Sequence, residues 1–382
     1  MLKPEYYANN TVNLMSSIIK GLGGKNSHHS LTSLSTEELA SYQNVVLMVI
    51  DAMGKDSMVR LGENSFFNKH RLQVLQSVFP STTIAAVSTF LTGLTPQEHG
   101  YVAWYMKLKE FGKVCALLPF YDRNHKHLKG IHKIKVQKSI FAKIKVEGHT
   151  ILKKNLKKSP YNNHWFSGKN TFWGYTNLKS FSSKIRQAVV SSKNKKYIYA
   201  YWPGFDDFSH EYGKTSVHTL RHLCEVERVI SDLSLKLKGS NSLILITADH
   251  GQIVTTKEKT IILEEHAKLK ECLSERMAGE PRAVFFEVKT EKRQQFEHYM
   301  KHNLGYAGDL FKSKDLADLG YFGLGKEHLN FRDRIGEYIF LMKENYAFRE
   351  FKVTKDSPLS IGHHGGLSQE EMLVPLVKVV VK

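Results

Sequence analysis

Five short segments of the chain carry side chains of the kinds that handle phosphate with the help of metal ions. Asp51 ends the apolar run NVVLMVI and is followed by Ala-Met-Gly, which sets its carboxylate on a turn at a strand end. An Asp there also serves as a helix cap. In FPSTTIAAVSTFLTGLTPQEHG, residues 79–100, Pro80 and Ser81 open what reads as a helix running to about Thr92 and stopped by Gly93. Thr83 falls in its first turn, where unpaired N–H groups and the positive end of the helix dipole favour an alkoxide or a phosphate. A threonine hydroxyl is a weak nucleophile until a metal or a base activates it. Ser81 or Thr82 would cap the helix. Asp206 and His210 lie four residues apart, so one helical turn presents both to the same side. Asp207 points about a quarter turn away. Asp249 and His250 follow another apolar run, and Gly251 lets the backbone bend. Gly362-His363-His364-Gly365-Gly366 sets histidines among glycines, where they have little packing role.

Together these segments supply Asp51, Thr83, Asp206, His210, Asp249, His250 and one of His363 and His364. Such a mixture of oxygen and imidazole ligands suits two divalent metal ions, with zinc expected over magnesium or manganese because of the histidines. Two metals roughly 3.5–4 Å apart can clamp both the attacking and the leaving oxygen of an in-line phosphoryl displacement.

The elements that must hold these groups are legible as β-branched, apolar runs of the buried parallel-strand type. They are Asn44–Ile50, Tyr197–Trp202, Ser242–Thr247 and Leu373–Val381, the last with Pro375 predicting an edge strand or a bulge. Between the second and third, Leu220, Leu223, Val226, Ile230, Leu233 and Leu237 form one helical face, with Gly239 as a stop. Strand, helix, strand predicts an α/β fold with a doubly wound, mostly parallel central sheet flanked by helices. Ligands of such sheets bind beyond the carboxyl ends of the strands, where Asp51, Asp206 and Asp249 would emerge. Residues 107–190 read as a basic, cap-like insertion, and residues 253–355 as a second α+β insertion with strands at Ala283–Val288 and Tyr338–Met342. Leu14, Ile18 and Leu22 predict a short amphipathic helix near the N-terminus.

The net charge of +18 favours anionic partners. From Lys107 to Lys196 the acidic residues are Glu110, Asp122 and Glu147 alone, which predicts an electropositive approach to a site, a nucleic-acid footprint or a solvated insertion. No run approaches the roughly 18 apolar residues of a membrane span. The N-terminus lacks the apolar stretch of a signal peptide. Cys115, Cys224 and Cys272 are far apart and form no CxxC pair, which points to a reducing, cytoplasmic setting.

The ordered set resembles the alkaline phosphatase superfamily and, within it, the type I phosphodiesterase/nucleotide pyrophosphatase family, over nearly the whole chain. VIDAMG resembles the first metal motif, and the segment at 79–100 the nucleophile motif, whose threonine falls on Thr83. DDFSHEYG and TADHG resemble the next two, and GHHGGLSQEEMLVPLV the closing G-x-H-G, whose histidine falls on His364 with His363 at the variable position. GEPRAVFF and RIGEYIFLM also resemble stretches of bacterial alkaline-phosphatase-like members. The resemblance implies one catalytic domain over residues 1–382. It implies one metal on Asp51, Thr83, Asp249 and His250 and another on Asp206, His210 and His364. Thr83 would attack phosphorus to give a phosphothreonine that water then hydrolyses, and the substrate would be a small anionic phosphate ester of nucleotide-like type. Two positions depart from the family. Ile84 stands where an aromatic residue usually helps hold a base, and Trp104 where an Asn contacts the phosphate. These two, with Tyr105, are the candidate substrate-binding residues. A phosphomonoesterase of the same superfamily is the alternative and would need a cation on the extra phosphate oxygens, for which Lys107 and Lys109 are candidates. A nucleic-acid-associated binding protein on this fold is a third reading. His28, His29, His125, His127 and His132 are expected to be exposed and without a role.

Overall fold

A computed structural model of the chain describes residues 1–134, 137–166, 170–352, 354 and 359–382. Parts of the two expected insertions, at 135–136, 167–169, 353 and 355, lie outside the described residues. Seven strands among the described residues form the central sheet: β1 (Asn44–Ile50), β2 (Arg71–Gln76), β3 (Glu147–Lys153), β4 (Asn170–Tyr175), β5 (Lys196–Trp202), β6 (Ser242–Thr247) and β7 (Leu373–Val381). Their spatial order is β2-β7-β6-β1-β5-β3-β4. The five strands from β6 to β4 are parallel, and β7 runs against both of its neighbours. Every residue of β1, β5 and β6 is buried. At about 1.5–3 kcal/mol for each large apolar side chain taken from water, these runs outweigh any local propensity in placing the strands.

Pro375 lies on a strand that is second from the edge. It pairs with Val74 of β2, a bulge follows at Leu376 and Val377, and pairing with β6 begins only at Val377. Proline therefore costs the ladder nothing on the β6 side.

The expected insertions are divided differently by the structure. Glu147–Lys153 and Asn170–Tyr175 join the central sheet, the first buried from Gly148 to Leu152 and the second packing Phe172, Trp173 and Tyr175 on the core. The hairpin strands Tyr105–Leu108 and Lys113–Ala116, with Tyr121–Asp122, instead meet strands from the other stretch. Through Tyr105 beside Gly279 they extend a second sheet made of Ala278–Glu280, Ala283–Phe286, Tyr338–Met342 and Gly308–Lys312. Alternation explains its position. Ala283, Phe285, Ile339 and Leu341 pack into the main core, while Val284, Phe286, Tyr338 and Phe340 form a second cluster with Phe296 and Phe348.

The N-terminal helix, Thr11–Gly21, is buried on nearly every face rather than on one stripe. Its polar residues are absorbed by the segment that folds back over it. Asn13 donates to the Tyr6, Tyr7 and His29 carbonyls, and Ser16 to that of His28. The Val217–Lys236 helix buries Leu223, Val226, Ile230 and Leu233 as the spacing predicts. No helix among the described residues is long and apolar enough to cross a membrane.

Candidate active site

Register brings the chemistry together. Ile50 lies beside Trp202, and Val49 beside Thr247. The chain therefore leaves the sheet at one level in three places, and Asp51, Asp206 and Asp249 emerge there. The Thr83 helix starts two residues later than expected, spanning Thr83–Thr92, with Thr82 rather than Ser81 as N-cap. Gly93 ends it at φ 69°, the left-handed conformation that glycine adopts without steric cost. Thr83 is thus the first helical residue and is half-buried, with its hydroxyl 3.2 Å from His250 Nε2.

The three histidines are oriented alike. Nδ1 of His250 lies 3.0 Å from the Gly251 carbonyl, that of His210 2.8 Å from the Gly362 carbonyl, and that of His364 3.2 Å from the Ser81 carbonyl. A carbonyl can only accept, so each Nδ1 carries the proton and each Nε2 is left for the site. Gly251 answers to space rather than to bending, since a Cβ there would come within 2.0 Å of the Glu370 carbonyl oxygen.

Two groups of ligand atoms lie within 4.8 Å of one another: Asp51, Asp249 and His250, and Asp206, His250 and His364. His210 stands behind the second group, its Nε2 3.2 Å from Asp206 Oδ2. Of the two adjacent histidines, His364 belongs to this group. The neighbouring His363 sits in a short ladder opposite Ile253, with its Nε2 buried.

The electrostatics suit cations. Burial, and then the charges of Asp249 and Asp206, push the Asp51 carboxyl well above the usual range. Asp51 Oδ1 and Asp249 Oδ2 are buried without a hydrogen-bond partner. The other Asp51 oxygen accepts from the Tyr201 hydroxyl, and Asp249 Oδ1 from the Ala52 and His250 amides at 3.0 Å each. Burial opposes ionisation of Asp206, but the imidazoles of His210, His364 and His250 together hold it below its ordinary value. Burial likewise opposes the charged form of His210, yet Asp206 pushes it up to about 9. Burial, and then His250, hold His364 well below the usual histidine range. Buried carboxylates with vacant lone pairs, facing imidazoles already turned by backbone carbonyls, form a donor set that fits divalent metal ions.

Two cavities flank Thr83, and both are lined by Thr83, Trp104, Asp206 and Asp207. One, of about 410 Å³, has apolar walls including Val87, Leu118, Leu152 and Leu156. The other, of about 560 Å³, is lined by Tyr105, Arg123 and Glu280. Trp104 is thus shared between the cavities. Tyr105 walls the larger one, with the Arg123 guanidinium 3.5 Å over its ring. Ile84 is fully buried and lines neither, while Val87, one turn later, does. Lys107 is paired with Glu275 and Glu287, and Lys109 with Asp333. Neither reaches a cavity. Among the histidines expected to be exposed, His28 is instead buried 2.7 Å from Glu98.

Several groups at the site were not singled out from the sequence. The Gln252 amide donates to Asp206 Oδ1. Glu280 is buried beside Trp104 and accepts its N–H, and burial pushes its carboxyl up to about 7. The motif GEPR carried Glu280, but its aim into the site depends on pairing with Tyr105 across more than a hundred residues.

The family model described as type I phosphodiesterase / nucleotide pyrophosphatase matches residues 45–367. Among solved structures, murine ectonucleotide pyrophosphatase/phosphodiesterase 5 is 17% identical with TM-score 0.67, each chain being covered to 87%. An inactive variant of that murine protein in complex with AMP is 17% identical with TM-score 0.66 at the same coverage. Phosphonoacetate hydrolase from Sinorhizobium meliloti, in complex with phosphonoformate, is 15% identical with TM-score 0.62, covering 90% of this chain and 91% of its own. These likenesses extend to the fold. No curated protein matches the chain.

Proposed function

The chain belongs to the type I phosphodiesterase / nucleotide pyrophosphatase family and is a hydrolase of phosphate esters, and from that premise we propose that it cleaves small phosphodiesters through a phosphothreonine on Thr83. The observation that carries the diester reading is the pair of cavities meeting at Thr83, one for each substituent of the phosphorus. A monoester would fill only one. The inactive murine variant in complex with AMP and the phosphonoacetate hydrolase in complex with phosphonoformate support a small anionic substrate.

Asp51, Asp249, His250 and Thr83 would hold one metal ion, and Asp206, His210 and His364 the other, with zinc the fitting metal. Bound there, such ions supply charge stabilisation for the displacement and acidify a hydroxyl in contact with them. The chain's own residues do the rest. The Thr83 oxygen forms the new bond to phosphorus as the bond to the leaving oxygen breaks. The open N–H groups at the start of the Thr83–Thr92 helix face the phosphoryl oxygens. His250 Nε2, 3.2 Å from the hydroxyl, offers the lone pair that the ion would take, which would place that ion beside the Thr83 oxygen. Water then cleaves the phosphothreonine and regenerates Thr83.

The test compares matched aryl phosphate monoesters and diesters with zinc-loaded protein. Diester preference is expected, falling about 10⁴-fold or more in Thr83→Ala and abolished in Asp249→Ala and by chelator. Monoester preference would move the function to a phosphatase. Nucleic-acid binding that is salt-sensitive and indifferent to chelator, with no hydrolysis, would favour the binding-protein reading.

A further inference from the structure

The smaller cavity contains a cation that the reaction above does not use. Ile151 of β3 lies beside Ala200 of β5, so Lys153, two residues on, leaves the sheet level with Trp202. The parallel register that delivers Asp51, Asp206 and Asp249 therefore delivers a lysine to the same side. Lys153 is the one lysine or arginine among the residues lining this cavity. It is half-buried, and among the described residues no ion pair or hydrogen bond engages its ammonium. The charge that bears on it is that of Asp207 at the cavity mouth.

A second donor lies in the same wall. Tyr199 is about 1% exposed, lines the cavity, and has a hydroxyl without a hydrogen-bond partner. Burial keeps that hydroxyl protonated, its pKa raised well above the ordinary tyrosine value. Both groups are donors, and although Asp206 and Asp207 also line the cavity, neither is hydrogen-bonded or ion-paired to them among the described residues. A donor left unpartnered beside apolar walls such as Val87, Leu118, Leu152 and Leu156 is costly unless a ligand satisfies it.

We infer that the substituent entering this cavity has an apolar or aromatic body and carries a second anionic group, a carboxylate or a phosphate, which Lys153 binds. The inference rests on the diester reading above and makes Lys153 the specificity-determining residue for that arm. The exposed Lys154, Lys157 and Lys158 on the next turn extend the positive charge outward from it.

The experiment uses the full chain with Thr83→Ala, zinc-loaded, so that diesters bind without being cleaved. Isothermal titration measures Kd for three diesters that share a 4-nitrophenyl group and differ in the second aryl group: phenyl, 4-carboxyphenyl or 4-phosphonophenyl. At least one charged diester is expected to bind roughly tenfold tighter than the neutral one, as a charged hydrogen bond allows, and which of them does so identifies the anion. Adding Lys153→Met should bring the ratio of charged to neutral Kd close to one, and Lys153→Arg should preserve it. Equal binding of all three overturns the inference, and so does no binding of any. Equal weakening of all three by Lys153→Met also overturns it, because that would put the ammonium on the phosphoryl group itself. If the protein with Thr83 intact cleaves none of them, the reaction assigned to the site fails on its own, while the Kd ratio still decides the role of Lys153.

Discussion

His210 and Asp206 form a 3.2 Å ion pair in which Asp206 pushes the imidazole up to about 9. That histidine is charged at neutral pH in the metal-free protein. A metal that takes its Nε2 must expel the proton. Two divalent ions should therefore bind with proton release at pH 7.5, seen as a dependence of the calorimetric enthalpy on the buffer's ionisation heat. Apparent metal affinity should rise with pH until about 9 and then level off. The sign follows from a raised pKa. The His210–Asp206 contact stabilises the metal-free fold fully below the ordinary histidine value of 6.5, and that stability is lost as pH rises through about 9. Metal binding that releases no proton would mean that His210 is not a ligand.

Among elements, the connection that holds the site's loops is the buried pair Arg282 and Glu371, at 3.2 Å. Glu371 accepts the Gly366 N–H at 2.7 Å, two residues from His364, and its backbone carbonyl accepts the Gly251 N–H at 2.8 Å, next to His250. Arg282 belongs to the second sheet's turn and also donates to the Tyr346 and Glu344 carbonyls. Arg282→Met would leave a buried carboxylate without its counter-charge. The expected loss is about 3–5 kcal/mol in urea unfolding. Adding Glu371→Leu should recover part of it, but not the part due to the orphaned Gly366 N–H. The same comparison shows what local sequence could convey. Apolar runs such as NVVLMVI and SLILIT announce buried strands by themselves, and Asp51, Asp206, His210 and the Asp249–His250 pair are placed by short spacings. Two strands of the second sheet, Ala283–Phe286 and Tyr338–Met342, are announced by their apolar runs, but its continuation to Tyr105–Leu108 is not, because Tyr105–Leu108 and Ala278–Glu280 are short and pair across more than a hundred residues. Glu280 is hidden for that reason. Lys153 is hidden in another way, as one lysine among many in a basic stretch, distinguished only by the strand end on which it falls.

For the whole molecule, the basic stretch does not form one surface. Lys107, Lys109 and Lys113 are matched with the acids Glu275, Asp333 and Asp122, and Lys196 is buried at the far end of β5, donating to the Ser192 and Asn194 carbonyls. Of the lysines from 153 to 158, Lys153 lines a cavity and the others are exposed. The net charge of +18 remains, so attraction of an anionic diester should weaken as the screening length shrinks from about 30 Å at 0.01 M salt to about 8 Å at 0.15 M. The expected outcome is a several-fold fall in kcat/KM with kcat little changed; a flat salt profile would show that the charge does not guide substrate. The position of β7 has a consequence during synthesis. It lies between β2 and β6, so a ribosome that has made the chain only to residue 372 holds a sheet from which the edge strand β2 is detached, with the apolar edge of β6 uncovered. Everything needed for the chemistry except the sheet's closure is then already present. An uncovered edge of this kind is open to pairing with a neighbouring chain until β7 covers it.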